Sequence, residues 1–286
     1  MMKPSANYRE QYLTQEEYRR FSILLNERLG IAWKDSEVKK EQLGRRIDHH
    51  MRLIGIADVS KYYNYLLQEE NLCDLQYLYN TVTITMTKFF RERKQLEFLE
   101  KEVFGQLNAN HSFLQTRKLR IWSAGCASGE EAYTLAMLAD EHLGTLGWDI
   151  RILASDINTE VLSEAKAGIY SPEEVKHVPV SFMEKYFEKG RHKGKMAFRI
   201  KPELKRFIQF RVINLLSDRY PIKTRFGMIF CRNVLIYFDQ ENQSALLQRF
   251  RNLLDEDGFL FLGHSEFLES ISGFKRLRLN VYQKQS

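Results

Sequence analysis

From residue 119 to the C-terminus, short apolar runs alternate with amphipathic stretches of helical period, and that alternation leaves few folds open. The runs at 119–123, 150–155, 207–213, 228–231 and 259–262 read as strands, and 275–283 reads as a final one. Strands separated by helices cannot pair as tight hairpins, so they cross over and lie parallel, with helices against the sheet. The alternation breaks once, at HVPVSFMEKYFEKGRHKGKMAFRIK, where Gly190 and Gly194 are expected to bracket a turn between short strands. That stretch reads as a small antiparallel β-subdomain, inserted at about 172–206.

The first 84 residues follow a different period. Thr14 with Glu17 forms a capping box, and Leu43, Ile47, Met51 and Ile54 recur at helical spacing before Gly55 stops the run. The expected organisation is therefore an all-helical domain over 1–84 and an α/β domain over 85–286. The second helix carries Arg45, His49 and Arg52 opposite its apolar stripe, with Arg46 at the flank. A solvated face and a docking surface for an acidic partner both fit that pattern.

Charge decides between classes of partner. The chain carries a net charge of +6. Residues 1–84 hold 12 basic and 12 acidic side chains, whereas 184–206 hold nine basic against three acidic. An imbalance confined to one short segment argues against a broad phosphate-tracking surface, so nucleic acid is not the expected partner. There is no apolar run of membrane-spanning length, and the opening MMKPSANYREQYLTQEEYRR lacks the apolar core and cleavage site of a signal peptide. A cytoplasmic protein without membrane insertion is expected, and nothing demands more than a monomer. Cys73, Cys126 and Cys231 are widely separated and read as reduced packing residues; neither they nor the seven histidines show metal-ligand spacing.

The segment LRIWSAGCASGEEAYTLAM runs strand, small-residue turn, helix, which brings backbone N–H groups and a helix N-terminus against a nucleotide-like ligand. Gly125 and Gly129 allow close backbone approach, although tight helix packing alone would also ask for them. The next strand ends ILASDIN, so Asp156 stands at a strand terminus, where a carboxylate accepts a ribose diol. Glu131 can cap the helix dipole or meet the cationic amino-acid portion of a cofactor. The full G-x-G-x-x-G of dinucleotide enzymes is missing, which disfavours a nicotinamide or a flavin.

Taken in order, TMTKFFRE, WSAGCASGEEAYTLAM, ILASDIN, VINLL, FCRNVLIYFD and FLGHSE resemble the CheR family, the glutamate O-methyltransferases of methyl-accepting chemotaxis receptors. The resemblance implies a class I S-adenosylmethionine methyltransferase domain, Rossmann-like with a mostly parallel sheet. It also implies a helical N-terminal domain that docks the cytoplasmic domain of the receptor, and a β-subdomain that in some members binds a tethering peptide at the receptor's C-terminus. By position, Thr85, Thr87, Arg91, Gly125, Glu131, Asp156, Asn214, Leu215, Arg232 and Asn233 would contact the cofactor, with S-adenosylhomocysteine as product. Arg91 and Tyr237 would serve the methyl-transfer centre. Arg45, Arg46, His49 and Arg52, with Lys193, Lys195 and Arg199 of the insert, would meet the receptor. Thr85 stands where the family commonly has Asn, Ala132 where it has Pro, and the insert lacks the richer glycine pattern of the peptide-binding members.

A glutamate carboxylate is ionised near neutral pH, so methyl transfer to it needs alignment rather than a general base. Arg91 can hold a carboxylate in register. Tyr237 follows an apolar strand, where an aromatic packs as readily as it serves a site. His264 is expected in a buried polar network or bracing the cofactor wall, and Phe89 and Phe90 as a hydrophobic hinge between domains. Two rival readings fit the residues less well: base methyltransferases carry an Asn/Asp-Pro-Pro-Tyr/Phe motif where this chain has CRNVLIYF, and the intact TKFFR, Asp156 and CRN speak against a decayed binding module.

Overall fold

The computed structural model describes residues 13–30, 37–109, 115–268 and 272–285. Most of the opening segment read above as leaderless, residues 1–12, lies outside them. The chain divides into two compact units, residues 1–84 and 85–286.

The first unit is helical: α1 (Gln15–Leu29), α2 (Glu37–Ile54), α3 (Val59–Leu66) and α4 (Leu72–Val82). The Thr14 hydroxyl accepts from the Glu17 N–H at 3.2 Å while the Glu17 carboxylate accepts from the Thr14 N–H at 2.8 Å, so the capping box is formed on both sides. Gly55, at φ 75°, ends α2. Leu43, Ile47 and Met51 are buried with Phe21, Tyr62 and Leu78. On α2 the buried His50 ring faces the Tyr62 hydroxyl at 2.8 Å and the Asp74 carboxylate at 3.1 Å, and Tyr65 donates to the same carboxylate at 2.7 Å.

The second unit is built on a seven-stranded sheet of order β6-β2-β1-β7-β8-β10-β9. Its strands are β1 (Lys118–Ala124), β2 (Asp149–Asp156), β6 (Ile208–Val212), β7 (Phe226–Cys231), β8 (Leu254–Leu262), β9 (Phe274–Arg276) and β10 (Val281–Lys284). From β6 to β8 all pairs are parallel, as crossover helices require; β10 is antiparallel to both neighbours. The crossovers include α7 (Glu130–Leu143), α8 (Thr159–Ala167) and α12 (Gln240–Leu253), and α5 (Arg93–Phe98) passes through a π-turn into α6 (Phe104–Ala109) ahead of the sheet. Ile121, Ile152, Phe230 and Phe261 face one core with Tyr133 and Met137 of α7. Trp122, Ile229 and Leu260 face the other with Phe250 of α12. Between β6 and β7 the described chain runs as turns and loop with no helix.

Two local readings change. The segment 275–283 is not one strand: Leu279 (φ 54°) and Asn280 (φ 56°) are both left-handed, which folds it into a hairpin of β9 and β10. In the insert, a three-stranded antiparallel sheet of order β3-β5-β4 forms from β3 (Ile169–Tyr170), β4 (Phe187–His192) and β5 (Lys195–Ile200). It takes in two residues ahead of the expected start. Its turn is Lys193–Gly194, both at positive φ, whereas Gly190 pairs with Ala197 inside the ladder. The short helices α9 (Pro172–Val175), α10 (Val180–Tyr186) and α11 (Pro202–Lys205) flank it.

Candidate active site

The loop after β1 reverses direction through Gly125 (φ 89°), Ala127 (φ 47°) and Gly129 (φ 96°). The Gly125 and Cys126 N–H groups donate to the Ser155 carbonyl at 2.8 and 2.9 Å, tying the loop to the end of β2. A side chain at Gly125 is excluded twice, by its φ and because a Cβ would stand 2.5 Å from Val234 Cγ2. The same loop orients Asp156: the Ala127 N–H donates to Oδ2 and the Asn158 N–H to Oδ1, each at 2.9 Å. Burial pushes the Asp156 carboxyl up, and these backbone bonds oppose it. The Ile157 N–H adds a third bond, and three donors on four lone pairs leave the carboxylate pre-aimed and still able to accept a hydroxyl. Asn214 lies beside it, since the Ile213 N–H donates to the Asp156 carbonyl at 3.2 Å; its side chain closes a turn by accepting from the Leu216 N–H at 2.9 Å. Leu215 is buried next to it.

A second cluster centres on Arg232, just past β7. Its Nε donates to Glu131 Oε2 at 2.7 Å, and its Nη1 donates to the Arg91 carbonyl at 3.0 Å and to Gln95 Oε1 at 3.2 Å, with Glu92 Oε2 3.6 Å away. The other Glu131 oxygen accepts from the Ser123 hydroxyl at 2.7 Å. The side chains of Arg232 and Glu131 are 3% and 10% exposed, so this is a buried, charge-assisted strut joining β1, α7, β7 and the segment before α5. Gln95 extends it by donating to the carbonyls of Leu262 and Leu279.

The TKFFRE segment is strained where it meets this strut. Phe90 (φ 53°) and Glu92 (φ 59°) are left-handed, a conformation that bulky residues hold only when the surroundings impose it. Here the Phe90 N–H donates to the Thr134 hydroxyl of α7 at 3.2 Å, and Glu92 accepts from the His264 N–H at 3.2 Å. Phe89 and Phe90, expected as a hydrophobic hinge between domains, are buried in the core of this unit, Phe89 edge-on to Tyr170 and Phe187 and Phe90 to Phe182. Arg91 is half-buried and its guanidinium donates to the Met86 carbonyl at 3.0 Å; Thr85 and Thr87, on the same segment, are half-buried. Burial pushes the Tyr237 phenol up, and the Arg91 charge opposes that rise.

His264 is exposed, which removes the buried-network alternative; the buried polar residue of FLGHSE is Glu266. Glu266, Gln95, Glu92 and Ser123 were not read as site residues, although all four lie in or beside the quoted motifs. Asn233 is left-handed at φ 62° and donates its N–H to Glu266. Two buried oxygens flanking Arg232, Glu92 Oε2 and Asn233 Oδ1, have no hydrogen-bond partner. Both are acceptors that a ligand rich in O–H and N–H donors would satisfy. A ribose diol and a cationic amino acid supply those donors, so the residues present fit S-adenosylmethionine. Cys126 and Cys231 are buried with their thiols pushed well up by desolvation, which fits packing rather than nucleophilic roles.

The remaining candidates are on α2 of the first unit and on the insert of the second. Arg45, His49 and Arg52 are exposed on α2, with Arg45 paired to Glu41 at 2.5 Å and Arg52 to Asp48 at 2.7 Å, while Arg46 is half-buried. Lys193, Lys195 and Arg199 are exposed on the β4–β5 hairpin. A cleft of about 890 Å³ opens on β2 and β6 and is lined by Arg151, Arg206, Arg211 and Lys223. Its lining includes neither Asp156 nor Arg232. Among the described residues no helix is long and apolar enough to cross a membrane, and no cluster could hold a metal ion.

Comparison with known proteins shows the family. Residues 16–83 match the model of the CheR methyltransferase all-alpha domain, and residues 85–282 that of the CheR methyltransferase SAM binding domain. The chemotaxis protein methyltransferase of Escherichia coli is 37% identical over 89% of this chain and 85% of its own length. That of Borreliella burgdorferi is 31% identical over 95% of both chains. Chemotaxis protein methyltransferase 2 of Pseudomonas aeruginosa is 34% identical over 92% of this chain and 90% of its own. Among solved structures, the N-methyltransferase NodS of Bradyrhizobium japonicum aligns at 17% identity and a TM-score of 0.31 over 57% of this chain and 61% of its own, a likeness that carries no argument. With both domain models matched over nearly the whole chain, the protein belongs to the CheR family of S-adenosylmethionine-dependent chemotaxis methyltransferases.

Proposed function

We propose that this methyltransferase acts on glutamate side-chain carboxylates of chemoreceptors, yielding glutamyl methyl esters and S-adenosylhomocysteine. The observation that supports it most is the bond from Arg232, itself paired to Glu131, to the Arg91 carbonyl, which holds the segment carrying a cationic fork against the residues read as the cofactor wall. S-adenosylmethionine supplies a methyl group on a sulfonium, which leaves as a neutral thioether when an oxygen takes the methyl. The protein's task is then to align an ionised carboxylate, which needs oriented groups rather than a proton acceptor.

Asp156 accepts the ribose hydroxyls, with Asn214 and Leu215 beside it. Glu131 offers its remaining lone pairs to the cofactor's ammonium group while Arg232 keeps that carboxylate in place. Thr85, Thr87, Gly125 and Asn233 complete the wall. Arg91 orients the acceptor carboxylate by charge, and Tyr237 borders the methyl. On this reading residues 1–84 dock the receptor's cytoplasmic domain through Arg45, Arg46, His49 and Arg52. The hairpin cations Lys193, Lys195 and Arg199 meet an acidic stretch of the receptor, the C-terminal tethering peptide in receptors that have one. The protein works as a cytoplasmic monomer.

Incubation with methyl-labelled S-adenosylmethionine and receptor cytoplasmic fragments tests the reading. Label that mild base releases as methanol, and that is lost in Arg91→Ala, is the expected result. Cofactor binding with no label on any receptor fragment would reject the glutamate assignment.

A further inference from the structure

Glu266 is 5% exposed and forms no ion pair among the described residues, yet four backbone N–H groups converge on its carboxylate. Oε2 accepts from Gly263 at 2.5 Å and from Asn233 at 2.8 Å, Oε1 accepts from Ile236 at 3.4 Å, and Val234 contributes a fourth bond. A buried carboxylate without a cation persists only where such bonds replace its water. Three of the four donors belong to the run from Asn233 to Ile236, which begins left-handed at Asn233 and ends in the 3₁₀ turn Leu235–Tyr237.

The anchor behind Glu266 is itself fixed. Asn280 Nδ2 donates to the carbonyls of Gly263 and His264 at 2.8 and 3.1 Å, and Glu92 accepts from the His264 N–H. Gly263 leaves no slack, because a Cβ there would stand 2.7 Å from Asn233 N and from Glu266 Oε2.

We infer that Glu266 is a positioning residue: its carboxylate holds the run from Asn233 to Tyr237 in the backbone conformation that presents Asn233 to the cofactor and Tyr237 to the methyl-transfer centre. This rests on the reading of Asn233 and Tyr237 as site residues, so the test separates the two.

The experiment is calorimetric titration of the full chain with S-adenosylhomocysteine, for wild type, Glu266→Gln, Asn233→Ala and the double variant, with thermal unfolding to show that each is folded at the titration temperature. Glutamine keeps the shape but turns an N–H₂ toward backbone donors, and a loss of affinity of roughly tenfold or more is expected. Because both substitutions act on one segment, the double variant should bind within about twofold of the weaker single. A purely structural loss would lower the melting temperature while the two affinity losses multiplied. If Glu266→Gln fails to fold, Gly263→Ala leaves the carboxylate in place, wedges it from Asn233, and should reproduce the loss. Unchanged affinity in Asn233→Ala sinks the site reading and this inference with it. A loss in Asn233→Ala with wild-type affinity in Glu266→Gln, or multiplying losses, overturns this inference alone.

Discussion

Replacing Arg232 by Met keeps a long side chain but removes the guanidinium. That strands the Glu131 carboxylate, whose partner stood at 2.7 Å, and leaves Glu92 without the cation 3.6 Å away. The Arg91 carbonyl and Gln95 Oε1 lose their donor in the same step. Breaking a buried ion pair from one side costs about 3–5 kcal/mol, because the surviving charge stays desolvated. A central value of about 4 kcal/mol lowers the melting temperature of a domain of this size by roughly 8–16 °C. Differential scanning calorimetry on Arg232→Met, Glu131→Gln and the double variant measures it. The double variant should recover about 2 kcal/mol relative to the sum of the singles, since it no longer buries that unpaired charge. A loss under about 1 kcal/mol in Arg232→Met, or additive singles, would refute the view of Arg232 as a buried strut.

Three further outcomes are expected. Gly125→Ala should cost about 2–4 kcal/mol in melting experiments and weaken S-adenosylhomocysteine binding, because the residue is left-handed and its Cβ meets Val234; unchanged binding would mean the loop is not at the cofactor. Neutralising Lys193, Lys195 and Arg199 to Gln should weaken receptor-fragment binding and flatten its salt dependence, and an unaltered salt slope rejects the hairpin as a docking surface. Burial holds the His50 imidazole below its usual range more strongly than Asp74 raises it. Below about pH 6.5 the unfolded chain then takes up a proton that the folded helical unit resists, so stability present above that pH is lost as pH falls. His50→Gln should flatten this dependence in amide exchange of α2 and α4; the same acid slope in the variant would refute it.

The main sheet was legible because its strands are short apolar runs between helices, a pattern each residue reports locally. Asp156 and Gly125 were legible for a related reason: a carboxylate or a glycine at the end of a predicted strand has one plausible place in such a sheet. Glu266, Gln95 and Glu92 were not, since their partners are backbone groups and side chains as much as 184 positions away, with no period to betray them. The motif FLGHSE drew attention to its histidine, the residue with the richer chemistry, whereas burial chose its glutamate. The misread ends share one cause. Leu279 at positive φ splits a run that looks like a strand, and Lys193 with Gly194 rather than Gly190 turns the hairpin, so in both places a non-glycine residue takes a left-handed conformation that residue preference does not announce.

The Gln95 side chain bridges the carbonyls of Leu262 and Leu279, spans of 167 and 184 residues. During synthesis α5 leaves the ribosome long before either carbonyl exists, and closing loops of that length comes late in folding. The bonds that fix α5 at Gln95, four residues past Arg91, therefore wait for the end of β8 and the turn ahead of β10. A chain clipped before Leu279 lacks one of those bonds, so on the proposed reading of Arg91 the alignment of an acceptor carboxylate is completed only once the C-terminal segment has folded.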